Sequence, residues 1–586
     1  MNRMVAIAAR NCAVFLFLVC ASFAQGSVTL KLAPAFASVG VHKSQQFTAT
    51  VSGETGAIVT WKVNSIAGGD AVLGTISKTG LYTAPAAIPP GTTVTIAASV
   101  PGVEPISSIV AITAGKPFYV SATGKDTNPG TLAEPWRTLL HAANEAIAGD
   151  TVYARAGTYR ESVNLPHSGS AAAGSIVFTS YPGELAIVDG TGVSCCGDQI
   201  QGLFNITGNQ SYIIIEGLAI QNYTSNNVGN EPAGIYVSGS GSYIQILNST
   251  VRNITETAGP SGNAHGIGFY GTFATPLSNI TLSGNDVYGM KTGNSETITL
   301  DGNVVGFTVT GNIVHDNDNI GIDATGFYGT GPSGHDQASK GEISANTVYN
   351  ITSIENPAYR GYGADGIYCD GCTQVTIERN LTYDCDLNIE AASENPHRVT
   401  SAVIIRDNIV YGGNLAGISI GGYQASVGGS DHITIFNNTL FDNNVVNGGG
   451  DFQIQFHATN SLFVNNIVYS GPQGIMLNSD TNSEPDPVIL DYNLYYTAAP
   501  PQWTWQNIQY DSFNAYRKAS KQDQHSYFEN PELVSAKSPY NFDLEAASPA
   551  RNKGNFALGA EYYGAFDFAG NPRTAGGKIN IGAYQQ

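Results

Sequence analysis

The chain has 586 residues, room for more than one core, and 46 Asp and Glu against 26 Lys and Arg give it a net charge of −20. That balance argues against nucleic acid and anionic membrane as partners, since either needs a basic face, and it disfavours a strongly polyanionic substrate. Only 12% of residues are charged while 68 are Gly and 30 are Tyr; with abundant Val and Ile, this argues against disorder and for an all-β protein rich in turns.

Residues 1–24 read as a secretory signal peptide. Arg3 and Arg10 supply the positive start, Ala13 to Ala21 the apolar core, and Ser22-Phe23-Ala24 a small-residue cleavage site. The apolar run is too short for a spanning helix, so a secreted or periplasmic soluble protein is expected. Loss of the leader leaves 46 acidic side chains against 24 basic ones.

Residues 27–115 show short runs of period-two alternation, as in Ile58-Val59-Thr60-Trp61-Lys62-Val63 and Thr93-Val94-Thr95-Ile96-Ala97-Ala98, with Trp61 as a core plug. The pattern suits a small β-sandwich. The stretches "SVGVHKSQQFTATVSG", "VTWKVN" and "GTISKTGLYTAPAAIPPGTTVTIAAS" resemble bacterial Ig-like domains, which implies a spacer or a weak binding module. Lys116-Pro117 marks the junction.

From about residue 118 a second body begins. Leu139 to Ala148 reads as a short helix, part of an N-terminal cap near 135–150 that would cover an open sheet edge. Farther on, an Asn followed by an apolar stretch and an aromatic residue recurs at Asn285, Asn312, Asn346, Asn380, Asn408, Asn438, Asn466 and Asn493, with His315 once in the aromatic place. The spacing varies from 27 to 34 residues around a constant motif, so loops of different size interrupt a regular coil. Each coil has a second strand about ten residues after the Asn, such as Gly366-Ile367-Tyr368-Cys369, and a third before it, such as Gln374-Val375-Thr376-Ile377. Three short strands per coil make a parallel β-helix over 118–502, and the Asn side chains are expected to stack at a turn. Residues 503–586 are less regular and are expected to close the far end.

Five cysteines remain after the leader. Cys195-Cys196 are adjacent, while Cys369, Cys372 and Cys385 cluster without the second half of a zinc motif. Buried thiols or one local disulfide are expected.

The motifs "GKDTNPGTLAEPWRTLLHAA", "GDTVYARAGTYRESV" and "IVFTSYPGELAIVDG", with the Asn-centred coils, resemble the pectate-lyase-like superfamily of right-handed parallel β-helices. The resemblance covers about 118–586. It implies that fold and a carbohydrate-active protein, but members run several reactions, so the chemistry has to be argued from the site.

Alternation places residues one and three beyond each coil's Ile on the outer face. There Asp301, Asp323, Asp370 and Glu390 fall on consecutive coils; the two last coils read Gln455 and His457, then Met476 and Asn478. Diagonal neighbours on a sheet lie roughly 7–8 Å apart, a separation from which paired carboxyls could run retaining or inverting hydrolysis. Like charges so close would hold one proton, which a general acid needs. Glu296, Asp365 and Glu394 lie at the strand ends, and long loops with Tyr359, Arg360, Tyr368 and Lys291 suggest cleft walls and sugar contacts.

Three readings stay open. In a glycoside hydrolase with no cofactor, Asp370 would be nucleophile or base, Glu390 the acid, and Asp323 a replacement for either. In a polysaccharide lyase, Asp301, Asp323 and Asp370 would hold Ca²⁺, with Lys291, Lys340 or Arg360 as base. In the third, the chain is a non-catalytic carbohydrate-binding or adhesion protein. A polysaccharide or oligosaccharide is the expected partner, and a monomer the expected state.

Overall fold

The computed structural model describes residues 28–585 apart from 42, 53–55, 90–92, 114, 198, 447 and 481–486. The expected signal peptide lies outside the described residues.

Thr29–Ala33 through Ile106–Thr113 form a small β unit with its own core, in which Phe47, Val63 and Tyr82 are fully buried and Trp61 is nearly so. Thr93–Ser99 pairs antiparallel with both Ile106–Thr113 and Thr60–Val63. Phe36 and Ala111 of this unit pack on Val177, Ile214 and Leu247 of the main body.

The main body is a right-handed parallel β-helix, as expected. Among the described residues, its coils build three long sheets of 14, 13 and 13 strands. One strand per coil enters each sheet, and one continuous apolar core runs along the axis, from Val120 to Tyr516. The helix Leu139–Glu145, N-capped by Thr138, buries Leu139, Ala142 and Ala143 against the first coils. Amide planes lock the coils at one corner. Each motif Asn after Asn285 accepts from the previous coil's Asn: Asn346 Nδ2 donates to Asn380 Oδ1 at 2.9 Å and Asn380 Nδ2 to Asn408 Oδ1 at 3.1 Å. The second amide hydrogen goes to a backbone carbonyl, as Asn380 Nδ2 to Ile343 O at 2.9 Å. The run is buried from Asn285 to Asn493, so every polar atom must find its partner inside it. On the second sheet the motif's aromatic residues stack as Tyr288, His315, Tyr349, Tyr383 and Tyr411, with centroids 4.8–4.9 Å apart, the spacing of the strands that carry them.

Three expectations are revised. Residues 503–586 are not simply a closing cap. Gln502–Trp505, Ile508–Tyr510, Phe513–Ser520 and Tyr527–Phe528 close the end, with Trp503 and Tyr516 buried. The rest folds back along the outside of the coils. Asn437 Nδ2 donates to Asn580 O at 2.7 Å, Asn465 Oδ1 accepts from the Asn555 N–H at 2.7 Å, and Arg573 pairs with Asp407 in full burial. The cysteines form two local disulfides, Cys195–Cys196 and Cys369–Cys372, with Cys385 a buried thiol. In the last coils the register differs by two residues. Ile418 pairs with Phe452, and Phe452 with Leu477, so Gln453 and Asn478 take the places expected for Gln455 and Met476. Large apolar side chains fill the interior as well as Ile does, and alternation cannot tell one such frame from the next.

Candidate active site

The third sheet carries the acidic face. Ile298, Ile322, Ile367 and Ile389 align in register. Asp323 pairs with Tyr368, Tyr368 with Glu390, and Thr325 with Asp370. Asp370 is therefore the diagonal neighbour of both Asp323 and Glu390. Asp365 reaches this face by a route alternation does not give. Gly366 points inward, where a Cβ would meet Asn388 O at 2.7 Å and Cys385 Sγ at 2.9 Å. Two successive inward residues, Gly366 and Ile367, turn Asp365 out.

Over this face lies a cavity of about 300 Å³. Six carboxyl residues line it: Glu231, Glu296, Asp301, Asp323, Asp370 and Glu394. Its aromatic walls are Tyr270, Tyr328, Tyr359 and Tyr368, and no Lys or Arg among the described residues lines it. Tyr328 comes from the loop whose turn is fixed by Asp336, which accepts from the Gly329 and Gly331 N–H groups at 2.7 Å each. Tyr359 comes from a loop pinned by Asn356, whose Nδ2 donates to Gly293 O at 2.8 Å and Asp318 O at 2.9 Å.

The hydrogen bonds divide the acids into unequal partners. Asp370 accepts from the Tyr328 hydroxyl and from the Glu394 N–H, the latter at 2.9 Å. Asp301 accepts from Thr325 at 2.6 Å and from Thr330. Oδ1 of Asp323 is buried with no partner. Burial, and then the charges of Glu296 and Asp370, push the Asp323 carboxyl well above the usual range. Burial and the Glu394 charge also raise Asp370, but its two donors pull the other way. A proton shared within such a set settles where no donor stabilises charge, and the charge settles where two donors do. Both carboxyls are raised by burial, and of the two only Asp370 has donors that favour its charged form.

Asp365 and Glu390 form a second pair outside the cavity walls, only 2% and 6% exposed. They lie within hydrogen-bonding reach of each other, and burial raises both, Glu390 to about 7. Oδ1 of Asp365 and Oε1 of Glu390 each lack a donor, which one shared proton supplies. Glu390 therefore lies on the same face beside the cavity and does not line it.

Of the residues expected at the site, Asp301, Asp323, Asp370, Glu296, Glu394, Tyr359 and Tyr368 come together on the cavity. Lys291 stands exposed beside Asp318, and Arg360 is exposed next to Tyr359; neither lines the cavity. Not anticipated were Tyr328, Tyr270, Glu231 and His265. His265 Nε2 lies 3.7 Å from Glu231 and its ring 3.2 Å from the Tyr270 hydroxyl. Tyr270 sat in the outward column of the alignment, and Tyr328 opens the longest loop; those were the signals available.

Of the acids expected to share Ca²⁺ in a lyase, Asp301 accepts from two threonine hydroxyls and Asp370 from Tyr328 and a backbone N–H; among the described residues no group of three His, Cys, Asp or Glu is arranged to hold a metal ion.

Residues 118–265 match the family described as Pel9A-like, right handed beta helix region. The chain is 39% identical over 440 residues to the uncharacterized protein YwoF of Bacillus subtilis (strain 168), spanning 75% of this chain and 92% of that protein. It is 40% identical over 75 residues to pectate lyase PEL9 of Emericella nidulans, 12% of this chain and 18% of that one. Similar solved structures are pectate lyase Pel9A (15% identity, 80% of this chain and 96% of that chain, TM-score 0.43) and the GH136 lacto-N-biosidase of Eubacterium ramulus (14%, 70% and 66%, TM-score 0.44). These two likenesses are remote and say nothing of the reaction. The length and identity of the match to YwoF, with the coil architecture above, establish that the chain belongs to the YwoF family of proteins with a Pel9A-like right-handed β-helix region.

Proposed function

We propose that this is an exported glycoside hydrolase acting on a neutral polysaccharide or oligosaccharide. The observation that carries the reading is the inequality between Asp323 and Asp370. Asp323, protonated in a dry site, donates to the glycosidic oxygen as the bond breaks. Asp370, held by Tyr328 and the Glu394 N–H, serves as nucleophile or base on the sugar carbon. Tyr359, half-exposed at the wall, offers a ring to the apolar C–H face of a sugar. Six carboxyls with no Lys or Arg among the described lining would repel a uronate chain, so the substrate is uncharged. The N-terminal unit acts as an Ig-like spacer, and the protein works as a monomer outside the cytoplasm.

The short stretch of likeness to a pectate lyase supports β-elimination as a second reading. Against it stand the positions of Lys291 and Arg360 outside the cleft. A screen on neutral and uronate polysaccharides separates the readings. New reducing ends without unsaturated product, lost in Asp370→Asn, are expected. An unsaturated product that disappears with chelator would overturn the hydrolase. No product on either class would leave a binding protein.

A further inference from the structure

The tail that folds back encloses a crevice against the second sheet, on a face that carries none of the acids of the cleft. Its volume is about 760 Å³. Tyr540 of the tail lies across two coil aromatics, its ring centroid 5.3 Å from both Tyr411 and Phe441, and stays 40% exposed. Asp384 and Asp442 line the same crevice, and no Lys, Arg or His among its described lining accompanies them.

These two carboxyls differ from the acids of neighbouring coils. Asp316, in the same column, accepts from Asn350 and pairs with His315 at 2.7 Å. Among the described residues, Asp384, exposed, and Asp442, half-buried, have no donor or basic group against them, and partial burial raises both. Each lies flat over a glycine of the next coil. A Cβ on Gly412 would stand 2.4 Å from Asp384 Oδ1, and one on Gly471 would stand 1.6 Å from Asp442 Oδ1. The glycines leave room for carboxylates that the protein does not neutralise.

We propose that this crevice is a second ligand site, for a saccharide that bears a protonated amine. Ring faces attract a cation through the π quadrupole, and partly desolvated carboxylates without donors complement the same charge. Two acids about 10 Å apart, two coil spacings, suit a chain with an amine on more than one sugar. A hydroxyl-only sugar would use the rings but leave both charges unmatched. The site is independent of the reaction proposed above, and losing that reaction would not remove it.

The test is calorimetric titration of the full mature chain with a glucosamine tetrasaccharide, its N-acetylated form and a glucose tetrasaccharide. Binding is expected for the first alone, weakening as salt rises. Tyr540→Ala, and separately Asp384→Asn with Asp442→Asn, should each weaken it at least about tenfold, while Asp323→Asn in the cleft leaves it unchanged. Asn tolerates the left-handed backbone at 384 and 442 (φ 53° and 49°), so the double variant keeps the fold; an unchanged melting temperature verifies this. Equal binding of the acetylated or glucose forms, no binding of the free amine, or binding that survives both variants would overturn the proposal.

Discussion

The hydroxyl of Tyr328, carried by a loop, donates to Asp370 on the third sheet and lies 3.4 Å from Glu394 Oε2. This phenol is one of the two donors that favour the charged form of Asp370. Tyr328→Phe removes a donor that favours ionised Asp370, so the Asp370 pKa rises. The acid limb of kcat against pH should then move up by about one pH unit, with smaller loss of kcat than in Asp370→Asn. An acid limb that does not move would show that Asp370 is not the titrating base.

Asp323→Asn and Asp370→Asn should each reduce kcat by about 10²–10⁴ on the neutral substrate, with little change in KM. Their stabilities should differ. Asp323→Asn keeps a neutral side chain at a site already holding a proton and should leave the melting temperature within a few degrees. Glu390→Gln, beside the cleft, should reduce kcat far less than either; a loss as large as that of Asp370→Asn would return Glu390 to the catalytic pair.

The buried Asp365–Glu390 pair couples stability to pH. Burial raises Glu390 to about 7 from an ordinary value of 4.5. The native state therefore holds a proton that the unfolded chain releases. Stability is full below about pH 4.5, falls as pH rises through 7, and is level beyond, with Glu390 contributing on the order of 3 kcal/mol. Melting curves between pH 4 and 9 should show this decline, and Glu390→Gln should flatten it.

The amide ladder is expected to be intolerant. Asn380 Nδ2 donates to Asn408 Oδ1 at 3.1 Å and to Ile343 O at 2.9 Å, while its Oδ1 accepts from Asn346 Nδ2 at 2.9 Å and from the Asn346 N–H at 3.0 Å. Asn380→Leu strands these partners in a dry corner and should cost about 3–5 kcal/mol by denaturant unfolding. The surface variant Asn350→Leu, four residues after the ladder Asn346 and exposed, should cost less than half of that.

The returning tail depends on a different contact. Arg573 and Asp407 are 0% and 1% exposed at their side chains. Arg573→Met leaves a carboxylate buried without its partner, at a cost of about 3–5 kcal/mol. Replacing both, as Arg573→Met with Asp407→Leu, should recover much of that loss. Limited proteolysis should cut the single variant in the tail before the coils.

The sequence by itself determined the coil. Asn at one corner, an aromatic after it and an Ile strand beyond form a periodic code because every coil meets the same neighbours above and below. The outer face bearing Asp301, Asp323, Asp370 and Glu390 followed from strict alternation, a local property of extended backbone. Tertiary structure decided what local patterns do not carry. Which acids face the cavity depended on two loops, from residues 326 and 352, folding over the sheet. Glu390 stands beside the cavity, paired with Asp365, which is turned outward past Gly366. The register of the last coils and the path of the tail rested on contacts between residues up to 166 positions apart, such as Arg573 with Asp407. Periodicity records what each coil shares with its neighbours; the site and the tail arise where the coils differ.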